Sequence, residues 1–277
     1  MEEGSELMAD GDVERGLVKT SVGYIHYRAS GAGDPLVLVH GQQKSSAMYL
    51  ELMEAVHRDF RTIAVDLPSC GSSDHVPDGL RMPDYARIVA EALEGIGVQP
   101  TYMLGHNAGA RVATHMALTF PDVVKKIVLA NPAWWPTPEF GLKASTKPMS
   151  ARGVVHTRTR EEYLSLEPGH CPMDPPDSWV ERMNQALLEC GTDAMQVGAG
   201  SLADDWRVTL PQLPCRALLL WGEHFIYTRD SGQFESLLND HEKAVIAGAR
   251  FDPWIDQPAA VRAALVKFLQ PSSSGGA

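Results

Sequence analysis

The sequence predicts an α/β fold with a mostly parallel central sheet flanked by helices, and three observations predict it. Short, continuous apolar runs of strand length recur along most of the chain, as expected of parallel strands covered on both faces. Helix-like segments separate those runs, which is the βαβ order. Hydrophobic residues make up 44% and charged residues 21% of the 277 residues, enough apolar material for one large core.

In chain order, Leu17 to Tyr27 alternates apolar and polar residues like a hairpin pair of strands. Pro35 to Val39 is the first buried run; it ends in His40-Gly41 and is followed by a helical stretch from Ala47 to Val56. Thr62 to Val65 is the second, closed by Asp66-Leu67-Pro68 and a turn through Gly71. Asp84 to Ile96 reads as a helix, with an acid in its first turn and Gly97 as its stop. Tyr102 to Leu104 is a strand that runs through Gly105–Ala110 into a helix ending near Phe120. Ile127 to Ala130, Ala217 to Trp221 and Ala244 to Ile246 complete the buried runs, and Pro258 to Leu269 is an amphipathic closing helix.

Residues 16–132 and 211–269 thus form the expected core. Residues 133–210 interrupt it with Pro-rich loops and at least one helix, Ser178 to Cys190, an insertion placed to act as a lid over the carboxyl edge of the sheet, where open α/β folds bind ligands. The ends, 1–15 and 270–277, are polar or low in complexity and read as mobile tails.

A formal net charge of -11 argues against nucleic acid or an anionic membrane as a partner, since both would repel the chain. No run of about 18 apolar residues suggests a membrane span, and the acidic N-terminus lacks the apolar core of a leader. The four cysteines (Cys70, Cys171, Cys190, Cys215) are scattered, which suits reduced thiols in a cytoplasmic protein. Neither metal-ligand spacing nor a phosphate loop nor a dinucleotide fingerprint appears, so no metal and no cofactor is expected; the expected partner is a small-molecule substrate or ligand.

The segment with most chemical content is Gly105-His106-Asn107-Ala108-Gly109-Ala110. Between a strand and a helix it matches the nucleophile elbow G-x-S-x-G at every position but the nucleophile. His40-Gly41-Gln42 resembles an oxyanion loop, and Asp66-Leu67-Pro68-Ser69-Cys70-Gly71-Ser72-Ser73-Asp74 resembles the turn D-x-P-G-x-G-x-S-D. Leu218 to Phe225 resembles the strand that delivers an acid, and Ala247 to Pro258 the segment that carries a histidine. Taken together, in this order, these stretches resemble the α/β-hydrolase fold superfamily over roughly Gly16 to Leu269.

The resemblance implies a serine where the chain has Asn107, an acid where it has Phe225 and a histidine where it has Phe251. An alternative acid position, at the end of the preceding strand, falls on Asn131. An amide is a poor nucleophile and phenylalanine takes no proton, so an acyl-enzyme route on these positions is not expected. His224 and Asp252 lie one residue from the acid and histidine positions and are candidate displaced bases. Backbone N–H groups of Gln42 and Ala108 would bind a carbonyl or oxyanion, with Asn107 adding a donor and acceptor. His40, Asn131, Trp134, Trp135, Phe225 and Phe251 would line the substrate site, with His40 also holding its loop and His106 packed as a structural residue.

Asn131 to Phe140 is loosely similar to the lid entry of cofactor-free hydroxyquinolone dioxygenases, which keep the histidine base. The expected function is therefore a non-hydrolytic reaction (cyclisation, rearrangement, lyase chemistry or cofactor-free oxygenation) on a small aromatic carbonyl compound. A ligand-binding protein without turnover, and a weak ester or lactone hydrolase using a displaced base, are the alternatives.

Overall fold

In the computed structural model, residues 13–133, 157–166, 171–191, 193 and 196–270 are described. Eight strands form one sheet: β1 (Glu14–Thr20), β2 (Gly23–Ser30), β3 (Asp34–Val39), β4 (Phe60–Val65), β5 (Thr101–His106), β6 (Val124–Ala130), β7 (Ala217–Gly222) and β8 (His241–Ile246). Their spatial order is β1-β2-β4-β3-β5-β6-β7-β8. The hairpin β1–β2 and the pair β2–β4 are antiparallel, and every other pairing is parallel. The sheet is thus the mostly parallel one that the apolar runs predict. β1 starts at Glu14, inside the stretch read as a tail, because Glu14 pairs with Ala29 across the hairpin.

Side-chain alternation along each strand divides the core into two layers. Val37, Val39, Ile63, Val65, Met103 and Leu129 face one side. There they pack against helices α2 (Met82–Gly95) and α3 (Ala108–Thr119), which follow α1 (Leu50–Val56). Leu36, Leu38, Ala64, Leu104, Val128 and Leu220 face the other side. They meet α1 and the closing helix Pro258–Leu269, whose Val261, Leu265 and Phe268 are buried. The start of α2 is set locally: Pro83 occupies its first turn and the Asp84 carboxylate accepts the Arg81 N–H at 2.9 Å.

Between β6 and β7 the described chain is helical: α4 (Arg160–Leu164), α5 (Asp177–Cys190), α6 (Gln196–Leu202) and α7 (Trp206–Thr209). Among the polar contacts that tie this stretch to the core are two arginine anchors. Arg182 of α5 pairs with Glu51 of α1. Arg111, buried on α3, donates from Nη1 to the carboxylate and the carbonyl of Asp204 at 3.0 Å each, with its guanidinium 4.2 Å from the Trp206 ring centroid. Burial pulls the Arg111 pKa down to about 10, against the opposing Asp204 charge. Lysine has neither the planar fork nor the stacking face, so Arg111→Lys should lower stability by about 1–2 kcal/mol in urea unfolding. An unchanged midpoint would show that the anchor carries no net stability.

All four cysteines are free thiols. Among the described residues no helix is long and apolar enough to cross a membrane.

Candidate active site

The turn from β5 into α3 is built by close approach. A methyl group on Gly105 would lie 2.6 Å from the Ala110 Cα, and one on Gly109 would lie 2.5 Å from the His40 carbonyl oxygen. Strand, helix and the loop after β3 therefore meet at distances that admit no side chain. Between the two glycines, Asn107 is forced to φ 51° and ψ −113°, a left-side backbone conformation that a non-glycine residue holds only under constraint. Asn107 is half-buried, and its N–H donates to the Ala130 carbonyl at 3.0 Å. Ala108 is the first residue of α3, so its N–H points out of the helix end, where no intrahelical acceptor exists. The loop after β3 passes directly beside: a methyl on Gly41 would lie 3.1 Å from the Asn107 Cβ. The Gln42 side-chain amide packs against Gly198 of α6.

Phe225, after β7, and Phe251, after β8, meet with ring centroids 5.5 Å apart, and both are buried in the same apolar layer as Ala108. Phe251 also meets the His106 ring edge-on at 4.5 Å. His106 is fully buried and donates from Nε2 to the Phe251 carbonyl at 2.8 Å. Burial drives its pKa down to about 3, so the ring is neutral. At 3.8 Å its Nε2 therefore makes no ion pair with Asp252.

Several residues expected to face substrate hold backbone instead. His40 is fully buried; its Nδ1 bonds to the Gly41 carbonyl at 2.7 Å and its Nε2 accepts the Leu67 N–H at 2.9 Å. Both ring nitrogens are thus committed to the loop, and burial lowers its pKa, which keeps it neutral. Asn131, also fully buried, donates from Nδ2 to the carbonyls of Arg250 and Phe251 and accepts the Gly222 N–H on Oδ1, at 2.9, 2.8 and 2.9 Å. It straps the end of β6 to the segments after β7 and β8. His40 thus has no ring nitrogen left for a ligand, and Asn131 has both amide hydrogens committed.

The two candidate displaced bases separate. The His224 side chain is half exposed, with Nε2 3.6 Å from the Glu223 carboxylate, and only its backbone N–H points inward, to the Ala249 carbonyl. Strand β7 and its turn aim Phe225 at the core, which sends the preceding side chain outward. Asp252 is fully buried: its Oδ2 accepts the Trp179 indole N–H at 3.0 Å, and its Oδ1 has no partner among the described residues. Trp134 and Trp135 lie outside the described residues.

Sequence reasoning passed over Lys44, Trp179 and Met183. Lys44 lies two residues beyond Gln42, buried, with Nζ 2.7 Å from the Met183 Sδ and 4.8 Å from the Trp179 ring centroid. One signal was available: Lys44 is the single charged residue in Gly41 to Leu50. Among the described residues no group of three His, Cys, Asp or Glu side chains could hold a metal ion.

The comparisons with known proteins agree with this architecture. The family model described as "alpha/beta hydrolase fold" matches residues 34–160. The chain is 28% identical over 146 residues to haloalkane dehalogenase 2 of Mycobacterium tuberculosis (strain ATCC 25618 / H37Rv), a match covering 52% of this chain and 51% of that protein. It thus spans about half the length of those dehalogenases. It is 30% identical over 217 residues to the pimeloyl-[acyl-carrier protein] methyl ester esterase of Vibrio parahaemolyticus serotype O3:K6 (strain RIMD 2210633), covering 72% of this chain and 78% of the esterase. A thermophilic esterase from Thermogutta terrifontis superposes with a TM-score of 0.72 at 21% identity, over 92% of this chain and 98% of that one. Sheet order, elbow geometry and these similarities converge: the chain belongs to the α/β-hydrolase fold family.

Proposed function

We propose that the protein acts on a small carbonyl-containing molecule at the elbow without forming an acyl-enzyme on residue 107. The observation that carries this reading is Asn107 itself, held at φ 51° and ψ −113°. Such a conformation costs on the order of 1–3 kcal/mol and is characteristic of functional sites. Here it presents an amide, which donates and accepts hydrogen bonds but is a poor nucleophile. With Phe225 and Phe251 at the acid and histidine positions, those positions carry no charge relay and set apolar walls beside the elbow. That environment suits binding a flat carbonyl compound and stabilising negative charge on its oxygen through the Ala108 and Gln42 N–H groups. Cyclisation, rearrangement, lyase chemistry or cofactor-free oxygenation of a reactive substrate fits such a site. The helical stretch between β6 and β7 serves as its lid.

A second reading, slow ester hydrolysis, is favoured by the relatives, which include a methyl ester esterase. Esterase kinetics separate the two. Steady-state turnover of p-nitrophenyl acetate should not exceed the buffer rate, and affinity for aromatic ketones, read by thermal shift, should fall at least tenfold in Asn107→Ala. Esterase turnover abolished by His224→Ala or Asp252→Ala would establish the hydrolase and remove the first reading.

A further inference from the structure

Lys44 and Asp252 approach one another from the loop after β3 and the loop after β8, and helix α5 covers both. Lys44 Nζ lies 4.8 Å from the Trp179 ring centroid and 5.5 Å from that of Phe251, and donates to the Met183 thioether. The thioether is only a weak acceptor, and the ring faces favour the ammonium form, against which burial acts. Trp179 links the two groups, since its ring lies by Lys44 while its N–H bonds to Asp252 Oδ2 at 3.0 Å. Asp252 Oδ1, fully buried, has no partner among the described residues, nor do the two side chains form a direct ion pair there. A buried carboxyl oxygen without a partner is rare and points to a ligand group or water at that place.

Burial acts on both groups in the direction of neutrality. It lowers the Lys44 pKa, opposed by the Asp252 charge, and raises that of Asp252, opposed by Lys44 and by the Trp179 hydrogen bond. Burial thus favours the amine over the ammonium at Lys44 and the carboxylic acid over the carboxylate at Asp252, the forms that serve as nucleophile and general acid.

We propose that Lys44 captures an aldehyde or ketone as an imine, with Asp252 supplying the proton that expels water. The proposal rests on the reading above for the carbonyl substrate, and adds the residue that bonds to it. The amine lone pair adds to the carbonyl carbon, the C=O π pair moves to oxygen, and one nitrogen proton transfers to that oxygen to give a carbinolamine. The Asp252 carboxyl then protonates the hydroxyl, the C–O bond breaks, and water leaves as the nitrogen lone pair closes the C=N bond. The products are an iminium on Lys44, a carboxylate on Asp252 and one water, with no change in oxidation state.

The test uses the full chain with 4-nitrobenzaldehyde and sodium cyanoborohydride at pH 7, followed by peptide mapping. Reductive capture should occur at Lys44 at least tenfold faster than at the solvent-facing Lys125 and Lys243. Asp252→Asn, whose amide oxygen still accepts the Trp179 N–H, should slow capture at Lys44 at least tenfold and leave the two surface lysines unchanged. Lys44→Met should abolish the fast adduct. Capture at Lys44 no faster than at Lys125 and Lys243, in protein with a cooperative melting transition, overturns the proposal. If Asn107→Ala still weakens ketone binding in that case, the elbow reading survives and the Lys44 assignment alone fails. Fast capture at Lys44 with Asn107→Ala silent in ketone binding supports Lys44 and removes the elbow reading.

Discussion

Asn131→Asp should destabilise the protein by about 3–5 kcal/mol at neutral pH, as expected for a buried charge without a counter-ion. The side-chain Nδ2 of Asn131 donates to two carbonyl oxygens at 2.9 and 2.8 Å, while its Oδ1 takes the Gly222 N–H. A carboxylate there keeps the Gly222 bond and turns an oxygen toward two acceptors. The new carboxyl would therefore hold its proton more tightly in the folded chain than in the unfolded one. A raised folded pKa means that the loss is smallest below the unfolded carboxyl value of about 4 and grows as pH rises through the folded value. Urea titrations at pH 5 and pH 8 should show the larger deficit at pH 8. Equal stability of variant and parent at pH 8 would show that the strap does not discriminate an amide from an acid. The same geometry explains why this position cannot act as an alternative acid while the strap is in place.

Asp66→Ala should cost a similar amount, about 3–5 kcal/mol, through the opposite chemistry. Its buried carboxylate accepts from the Ser46 and Ser72 N–H groups and from His26 Nδ1, the latter two at 3.0 and 2.8 Å. Truncation leaves the Ser46 and His26 donors buried and unpaired, and the Ser72 N–H to solvent, around the loops that flank the elbow. Burial opposes ionisation of Asp66, but the His26 hydrogen bond leads the contributions that outweigh it and hold its pKa below the ordinary value. A depressed carboxyl pKa contributes stability that is complete above the unfolded value and is lost as pH falls through the folded one. Thermal melts from pH 6 downward should accordingly show the parent losing stability in acid faster than Asp66→Ala. Parallel curves would mean that Asp66 is not the group responsible.

The legibility of the fold followed the burial of its strands. Pro35 to Val39 is apolar throughout because β3 is central, and it was readable to within a residue. The apolar run marks only Ala244 to Ile246, but β8 runs from His241, because as an edge strand it presents His241, Glu242 and Lys243 partly to solvent. Asn107, Phe225 and Phe251 follow β5, β7 and β8 at short offsets, a relation that a linear pattern can carry. Lys44 and Met183 are 139 positions apart, and Trp179 and Asp252 are 73 apart. No local pattern encodes such a meeting; it follows from how α5 settles on the sheet. For His224, proximity along the chain to a site position says nothing of which way its side chain turns.

The elbow owes its shape to Gly105 and Gly109, which let backbone meet backbone, and not to the side chain between them. Residue 107 is therefore a socket in a frame that other parts hold rigid. Substitution at 107 would leave those backbone contacts in place. The tip is in this sense decoupled from the architecture that carries it.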